Sequence, residues 1–318
     1  MAGLALLPGC STPSNAVSAA GPPQAADAKT AAMPPYVGQP VPGLIPERFA
    51  PGIVNTAAIE LNGVFSPDQR EFYFTRVVDG VDTMHRIVFT GGKWSGPQPL
   101  QLFPGNARVE AADMVFTRDG QEFFFLAKLP PAPGVEKPSY DIWRSRRARG
   151  DWSPAELVPA PVSSPSDDYY PVFGPDGSLY LNTDRGGRDI YRFERRADGT
   201  FAPAVKAGHP FQPRDGDLTF APDGSFIVVS AQRPRAGGSY RNDLHVSFRR
   251  PDGTWADFVR LDDSINTAHH EWCPMVTPDG KYLFFSRRLG KFDTQGWEGT
   301  TDGEVYWVDV RALDKYRS

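Results

Sequence analysis

The 318-residue sequence has few of the features that identify specialised classes of protein. It has only two cysteines, Cys10 and Cys273, so no disulfide framework is predicted. No uninterrupted apolar run approaches the roughly 20 residues of a membrane-spanning helix. The net charge of -4 gives no basic field that would attract nucleic acid. A disulfide-stapled scaffold, a membrane-spanning helix and a nucleic-acid partner are therefore not predicted.

The sequence also lacks the common catalytic motifs. It contains no GxSxG nucleophile elbow, no phosphate-binding loop and no cluster with metal-ligand spacing. His269 and His270 are adjacent, and neighbouring strand residues point to opposite faces, so the pair is not expected to hold one ion. No cofactor and no metal site are predicted from these motifs.

Turn residues are abundant instead, with 31 glycines and 32 prolines. Five turns with a shared aspartate, FSPDQ, FTRDG, FGPDG, FAPDG and VTPDG, each lie between two short apolar runs. Their aspartates are Asp68, Asp119, Asp176, Asp223 and Asp279. Proline at the second position and glycine at the last suit a type I turn, so each segment predicts a β-hairpin.

A third strand follows each hairpin. In four units a fourth strand comes next, anchored by an aromatic residue that is Trp94, Trp152, Phe201 or Trp255. The fifth unit has no such strand, but ERFAPGIVNTAAIE ahead of the first hairpin carries Phe49 in the aromatic position. The spacing of the units is close to the length of a four-stranded blade. The sequence thus predicts an all-β fold, a five-bladed β-propeller over residues 46–318 closed by an N-terminal strand. A six-bladed propeller is the alternative.

The hairpins and the closing EWCPMVTPDGKYLFFSRR…GEVYWVDV resemble the WD-like repeat with a PD turn of the TolB-type propeller family. The resemblance covers all five units and implies an architectural role for the turn aspartates and for Asp141, Asp189 and Asp243. Members of that family include periplasmic partner-binding proteins and lipoproteins. TolB itself has an α/β domain ahead of its propeller, where this chain has a different segment, so TolB's own interactions are not implied.

That N-terminal segment contains LALLPGC at residues 4–10, which resembles a bacterial lipobox with Cys10 as the lipidated residue. Residues 1–9 are interpreted as a truncated leader, and residues 10–45, rich in Ala, Pro and Ser, as a flexible tether. The prediction is a protein of the periplasm or cell surface that contacts a membrane only through a lipid anchor. A chance match, or a true start further upstream, is the alternative.

One face of the propeller is predicted to carry an acidic ring. Eight residues before the turn aspartate, where the first strand of a blade begins, four units place Glu60, Asp168, Asp215 and Glu271, with Glu110 one position away in the second unit. The architectural interpretation is that such carboxylates accept backbone hydrogen bonds or pair with an arginine of the next blade. A Ca²⁺ ion held by the ring is an alternative to the absence of a cofactor.

The same face is predicted to bind a partner. The candidate residues are Asn55, Asn106, Asn266, Tyr240, Arg287, Arg288 and Trp297, with Lys128 and Tyr140 from a long loop. The predicted function is a monomeric, non-catalytic binding or scaffold module for a protein or glycan of the bacterial envelope. The alternative is a carbohydrate-active hydrolase or lyase that uses two of Glu60, Asp168, Asp215 and Glu271 as catalytic carboxylates.

Overall fold

A computed structural model describes Met1 and residues 36–105, 109–129, 140–234, 240–293 and 296–317, without the side chains of 234, 240, 289–293 and 296–301. The regular structure is almost entirely β-strand, arranged in five antiparallel sheets. Within these ranges, two short 3-10 helices are the exceptions, η1 (Tyr36–Gly38) and η2 (Val310–Tyr316).

The sheets follow one another along the chain. After β1 (Glu47–Arg48), blade 1 contains β2 (Glu60–Phe65), β3 (Glu71–Val78), β4 (Val81–Thr90), β5 (Lys93–Trp94) and β6 (Gln98–Pro99). Blade 2 contains β7 (Glu110–Phe116), β8 (Glu122–Lys128), β9 (Asp141–Ala148), β10 (Asp151–Trp152) and β11 (Glu156–Leu157). Blade 3 contains β12 (Asp168–Phe173), β13 (Leu179–Thr183), β14 (Asp189–Phe193) and β15 (Val205–Lys206). Blade 4 contains β16 (Asp215–Phe220), β17 (Phe226–Pro234), β18 (Tyr240–Phe248) and β19 (Val259–Arg260). Blade 5 contains β20 (His270–Val276), β21 (Tyr282–Asp293) and β22 (Gly296–Asp309).

The N-terminal strand β1 completes blade 5, whose strand order is β1-β22-β21-β20. Glu47 lies opposite Trp307, and Arg48 lies opposite Tyr306. Because the first strand of the chain pairs with the last, the sheets close into a ring. The prediction of a five-bladed propeller closed by an N-terminal strand is confirmed.

Aromatic side chains fill the space between blade 5 and blade 1. The fully buried Phe49 ring lies 4.7 Å from the Phe72 ring, 4.8 Å from that of Phe284 and 5.1 Å from that of Trp307. Further towards the N-terminus, inside the segment interpreted as a tether, Tyr36 is buried and donates a hydrogen bond of 2.6 Å to Asp279. Ordered contacts with the propeller therefore begin before residue 46.

The first strand of each blade lines the central channel. These strands, β2, β7, β12, β16 and β20, contact one another around the ring. Each has a bulge that includes the residue six positions before the turn aspartate, and four of these five residues have positive φ: 58° at Asn62, 55° at Asp113, 47° at Tyr170 and 49° at Cys273. A bulge re-aims the side chains of its strand, and here it determines which residues face the channel.

Candidate functional site

The four ring carboxylates lie where the sequence predicted, at the starts of the first strands, and all are fully buried. Each is paired with an arginine in or just after the second strand: Arg76 with Glu60 at 2.8 Å, Arg185 with Asp168 at 2.7 Å, Arg287 with Glu271 at 2.9 Å, and Arg233 with Asp215. The arginine comes from the same blade, whereas the architectural interpretation expected the next one. Each carboxylate is thus neutralised inside its own sheet.

Backbone amides complete the same arrangement. The carboxylates accept N–H hydrogen bonds from Thr56 at 3.1 Å, Ser164 at 2.9 Å, Gln212 at 2.8 Å and Thr267 at 3.1 Å. The bonds tie the loop that enters each first strand to the strand itself. This buried arrangement of carboxylate, arginine and backbone amide repeats in four blades, so it has a structural role. Its carboxylates have little capacity left to bind a substrate.

Two of the predicted partner-binding asparagines are also buried. Asn55 donates hydrogen bonds to the carbonyls of Phe49 and Val305, each at 2.7 Å, and accepts one from the Val305 N–H at 2.8 Å. Asn266 forms the equivalent pair of bonds with the backbone of Leu244 in β18. Both amides therefore hold a third strand to the loop beside it. Asn106 lies outside the described residues.

The remaining predicted residues divide into two groups. Arg287 is held by Glu271, by the Ile265 carbonyl at 2.9 Å and by the Tyr306 ring at 4.3 Å, so its guanidinium is committed to the fold. Arg288 is half-buried, and its burial lowers its pKa. The side chains of Tyr240 and Trp297, and residue Cys10, lie outside the described part of the chain.

Blade 2 departs from the pattern of the other four. Ala111 and Ala127 lie opposite each other in β7 and β8, where blades 1 and 5 pair a carboxylate with an arginine. The adjacent Glu110 instead accepts a hydrogen bond from the Tyr140 hydroxyl and lies 4.0 Å from the Lys128 ammonium. About a third of the Glu110 side chain is exposed, against none of Glu60 or Glu271.

Two more charged residues, Asp82 and Arg288, interact with this site in blade 2. Burial raises the pKa of Asp82, the charge of Glu110 raises it further, and Arg288 opposes that rise. Asp82, Glu110, Lys128, Tyr140 and Arg288 therefore form an asymmetric group, here called the mouth cluster. It combines both signs of charge with partly exposed side chains, which distinguishes it from the buried pairs of the other blades.

A second polar group lies deeper. The five bulge residues are Asn62, Asp113, Tyr170, Asp217 and Cys273, here called the channel ring. Asn62 donates to Asp113, the Cys273 N–H donates to Asp217 at 3.1 Å, and the Tyr170 hydroxyl donates to the Pro274 carbonyl at 2.9 Å. No sequence pattern predicted this ring, although all its members lie six residues before a turn aspartate.

Burial dominates the electrostatics of the channel ring. It raises the pKa of Asp113 well above its ordinary value, and the nearby charge of Asp217 raises it further. Burial also raises the pKa of Asp217 and that of the Cys273 thiol. Two carboxyl groups that repel each other in a desolvated site favour holding a proton, which is the state required of a general acid.

Within the described ranges, no group of three or more His, Cys, Asp and Glu side chains is arranged to hold a metal ion. None of the helices among those residues has the length and apolar character needed to cross a membrane.

The site and strand pairing together define a five-bladed propeller with a polar channel. The solved structures that are similar include TolB from Acinetobacter baumannii, at 14% identity and a TM-score of 0.45, covering 79% of this chain and 54% of that one. A gluconolactonase from Xanthomonas campestris has 14% identity and a TM-score of 0.46, with coverage of 85% and 97%. The catalytic domain of an α-L-arabinofuranosidase from Coprinopsis cinerea has 9% identity and a TM-score of 0.47, with coverage of 83% and 97%.

These likenesses concern the fold alone. The chain spans about half the length of the Acinetobacter TolB, with 54% of that protein covered. Neither a search against family models nor one of curated proteins finds a match. The function must therefore be inferred from the residues of this chain.

Proposed function

We propose that the protein is a non-catalytic, TolB-like binding module that takes a protein or glycan partner of the bacterial envelope at the mouth cluster. The proposal includes a monomeric, extracytoplasmic protein that is lipid-anchored through Cys10. The observation that carries it is the exception in blade 2. Where four blades bury a neutralised carboxylate, this blade leaves Glu110, Lys128 and Tyr140 partly accessible at the channel mouth.

The chemistry of the mouth cluster suits a polar ligand with flat faces. The Tyr140 ring lies 5.5 Å from that of Tyr169, and the Lys128 ammonium lies 5.3 Å above the Tyr140 ring. Aromatic faces stack on the apolar faces of sugars or on protein side chains, while Glu110 and Lys128 offer an acceptor and a donor for hydroxyl or amide groups. An asymmetric site of this kind favours recognition over architecture.

A hydrolase is the second candidate, because the channel contains carboxyl groups with raised pKa values. Burial holds protons on Asp82, Asp113 and Asp217 at a higher pH than usual, as the general acid of a glycosidase requires. If the protein cleaves glycans, we expect the catalytic carboxyl groups to be among Asp82, Asp113 and Asp217. The four carboxylates Glu60, Asp168, Asp215 and Glu271 are each paired with an arginine instead.

The test measures binding and cleavage in the same mixtures. The protein is titrated with cell-wall and plant oligosaccharides, and separately used to capture partners from envelope extracts. Glu110→Gln and Lys128→Gln should each weaken the binding found by about tenfold, as expected for a charge-assisted hydrogen bond. The matched controls Glu156→Gln and Lys206→Gln alter exposed charges on outer strands and should leave it unchanged.

Three outcomes separate the candidates. Loss of binding in the mouth variants alone supports the binding module. Equal binding by mouth and control variants contradicts the assignment of this site. A cleaved product that disappears with Asp82→Asn or Asp113→Asn replaces the binding module with the hydrolase.

A further inference from the structure

The opposite end of the channel holds a cavity of about 930 Å³ among the five turns that carry the shared aspartate. Small-molecule sites commonly measure about 300–1,000 Å³, so the cavity is large enough for a ligand. Residues of all five blades line it, including the turn prolines Pro67, Pro175, Pro222 and Pro278. The mouth cluster is at the other end of the first strands and takes no part in this cavity.

The wall of the cavity is largely apolar where the first strands end. Four residues before each turn aspartate, the strands contribute Val64, Val115, Val172, Thr219 and Met275. The three valines are buried and Met275 is half-buried, so apolar side chains without charge back this part of the wall, and Thr219 adds a hydroxyl group. Such a wall stabilises an apolar body by removing it from water.

The acidic side chains of Asp119 and Asp176 at the rim of the cavity already have hydrogen-bond partners within the protein. Asp119 accepts hydrogen bonds from the Thr117 hydroxyl at 2.7 Å and the Gln121 N–H at 3.0 Å. Asp176 accepts from the Ser178 N–H at 3.0 Å and from Arg192 at 2.7 Å. These bonds fix the two turns, and Arg192 neutralises the charge of Asp176.

The arginines at the rim of the cavity are not all paired with carboxylates. Arg195 pairs with Glu122, but among the described residues neither Arg118 nor Arg196 forms an ion pair. The Arg196 guanidinium is held by the Phe201 carbonyl at 2.8 Å, so one nitrogen is fixed while others remain available to a ligand. A positioned guanidinium that forms no ion pair is suited to bind an anion.

We propose that this cavity binds a small carboxylic acid with an apolar body. The carboxylate would lie between Arg118 and Arg196, and the apolar body would occupy the space beside Val115, Val172 and Met275. The site is independent of the mouth cluster, so it stands or falls separately from the function proposed above.

Blade 4 supplies a matched control. Arg250 occupies the same hairpin position as Arg196 and donates to the Trp255 carbonyl and to Thr254, as Arg196 does to Phe201 and Thr200. Arg250 does not line the cavity. Replacing Arg250 therefore removes the same local contacts as replacing Arg196, but it leaves the proposed binding site intact.

The experiment is calorimetric titration of the full chain with octanoate and 1-naphthoate, which share the carboxylate but differ in the apolar body. Acetate, octan-1-ol and octylammonium test the apolar body, the charge and its sign. We expect one site for at least one of the two acids, and about tenfold weaker binding in Arg118→Gln and in Arg196→Gln. Arg250→Gln and Glu110→Gln should bind as the unchanged protein does.

The proposal is overturned by any of three results. Neither acid binds, octan-1-ol binds as tightly as octanoate, or the double variant of Arg118 and Arg196 retains full affinity. Both arginines are on the surface side of the cavity rather than in the core, and a thermal denaturation curve of each variant confirms that it is folded.

Discussion

The Arg287 guanidinium lies 2.9 Å from the carboxylate of Glu271, and the Glu271 side chain is entirely removed from solvent. The two residues face each other directly across β20 and β21. Arg76 and Glu60 face each other in the same way across β2 and β3. A buried pair of this kind is costly to break, because the remaining charge has no water to replace its partner.

Replacing Glu271 with glutamine should therefore destabilise the propeller. Glu271→Gln removes the charge but keeps the shape, and we expect a loss of about 3 kcal/mol in the free energy of unfolding. Urea denaturation measures it. Lys315→Gln, which breaks an ion pair with both side chains about half exposed, should cost less than about 1 kcal/mol. An unchanged stability with loss of glycan cleavage would instead indicate a catalytic Glu271.

Ring closure depends on Phe49, which follows β1 and lies among aromatic rings of blades 5 and 1. Phe49→Ala should cost about 3–5 kcal/mol, because it opens a cavity at a site that is fully buried. Ile45 is 72% exposed, so Ile45→Ala should change the free energy of unfolding by less than about 0.5 kcal/mol. Similar values for both variants would show that this seam does not hold the ring.

The channel ring predicts a pH dependence of stability through Asp113. Its pKa is raised in the folded state by burial and by Asp217, so the folded protein binds the proton more tightly than the unfolded chain. Stability from this group is fully present below the ordinary aspartate pKa of about 3.9 and is lost as the pH rises through the raised folded value. Asp113→Asn should therefore stabilise the protein increasingly as the pH rises.

Urea denaturation at several pH values between about 4 and 8 measures this difference. The control is Asp119→Asn, because hydrogen bonds from Thr117 and Gln121 lower the pKa of Asp119. The stability effect of Asp119 lies between its lowered folded pKa and the ordinary value of about 3.9, so the difference between Asp119→Asn and the unchanged protein should stay nearly constant from about pH 4 to 8. The same rise with pH in both variants would contradict the assignment of a proton to the channel ring.

The thiol of Cys273 should be unreactive in the folded protein. It is buried, and burial together with the charge of Asp217 raises its pKa, so little thiolate forms. In a Cys10→Ser background, an aromatic disulfide reagent at pH 8 should label it only after denaturation in urea. Rapid labelling of the native protein would mean that the channel opens to solvent and reagent.

The blades could be predicted from the sequence because their signal is local. The aspartate of each tight turn lies between two apolar strands, and five such units with a spare N-terminal strand fix the number of blades. The ring positions Glu60 and Glu271 were predicted for the same reason. Their partners Arg76 and Arg287 could not be chosen securely, since the pairing depends on the register between two strands.

The channel ring was missed for a different physical reason. Side chains of a regular strand alternate between two faces, but the bulge at Asn62, Asp113 and Cys273 breaks that alternation. The mouth cluster was found only in part, because Asp82 comes from a hairpin of another blade than Glu110. The cavity among the five aspartate turns has no sequence signal, because its shape arises from the spacing of five blades.

The pairing of β1 with β22 also sets an order of events during synthesis. Residues 47 and 48 leave the ribosome long before their partners, residues 306 and 307. The N-terminal strand therefore has no strand to pair with while the first four blades are synthesised. Contacts between residues this far apart in sequence form slowly, because the chain loses entropy before it gains their energy. Nascent chains stalled before Trp307 should therefore expose the edge of blade 5, and release of the last segment should bury it.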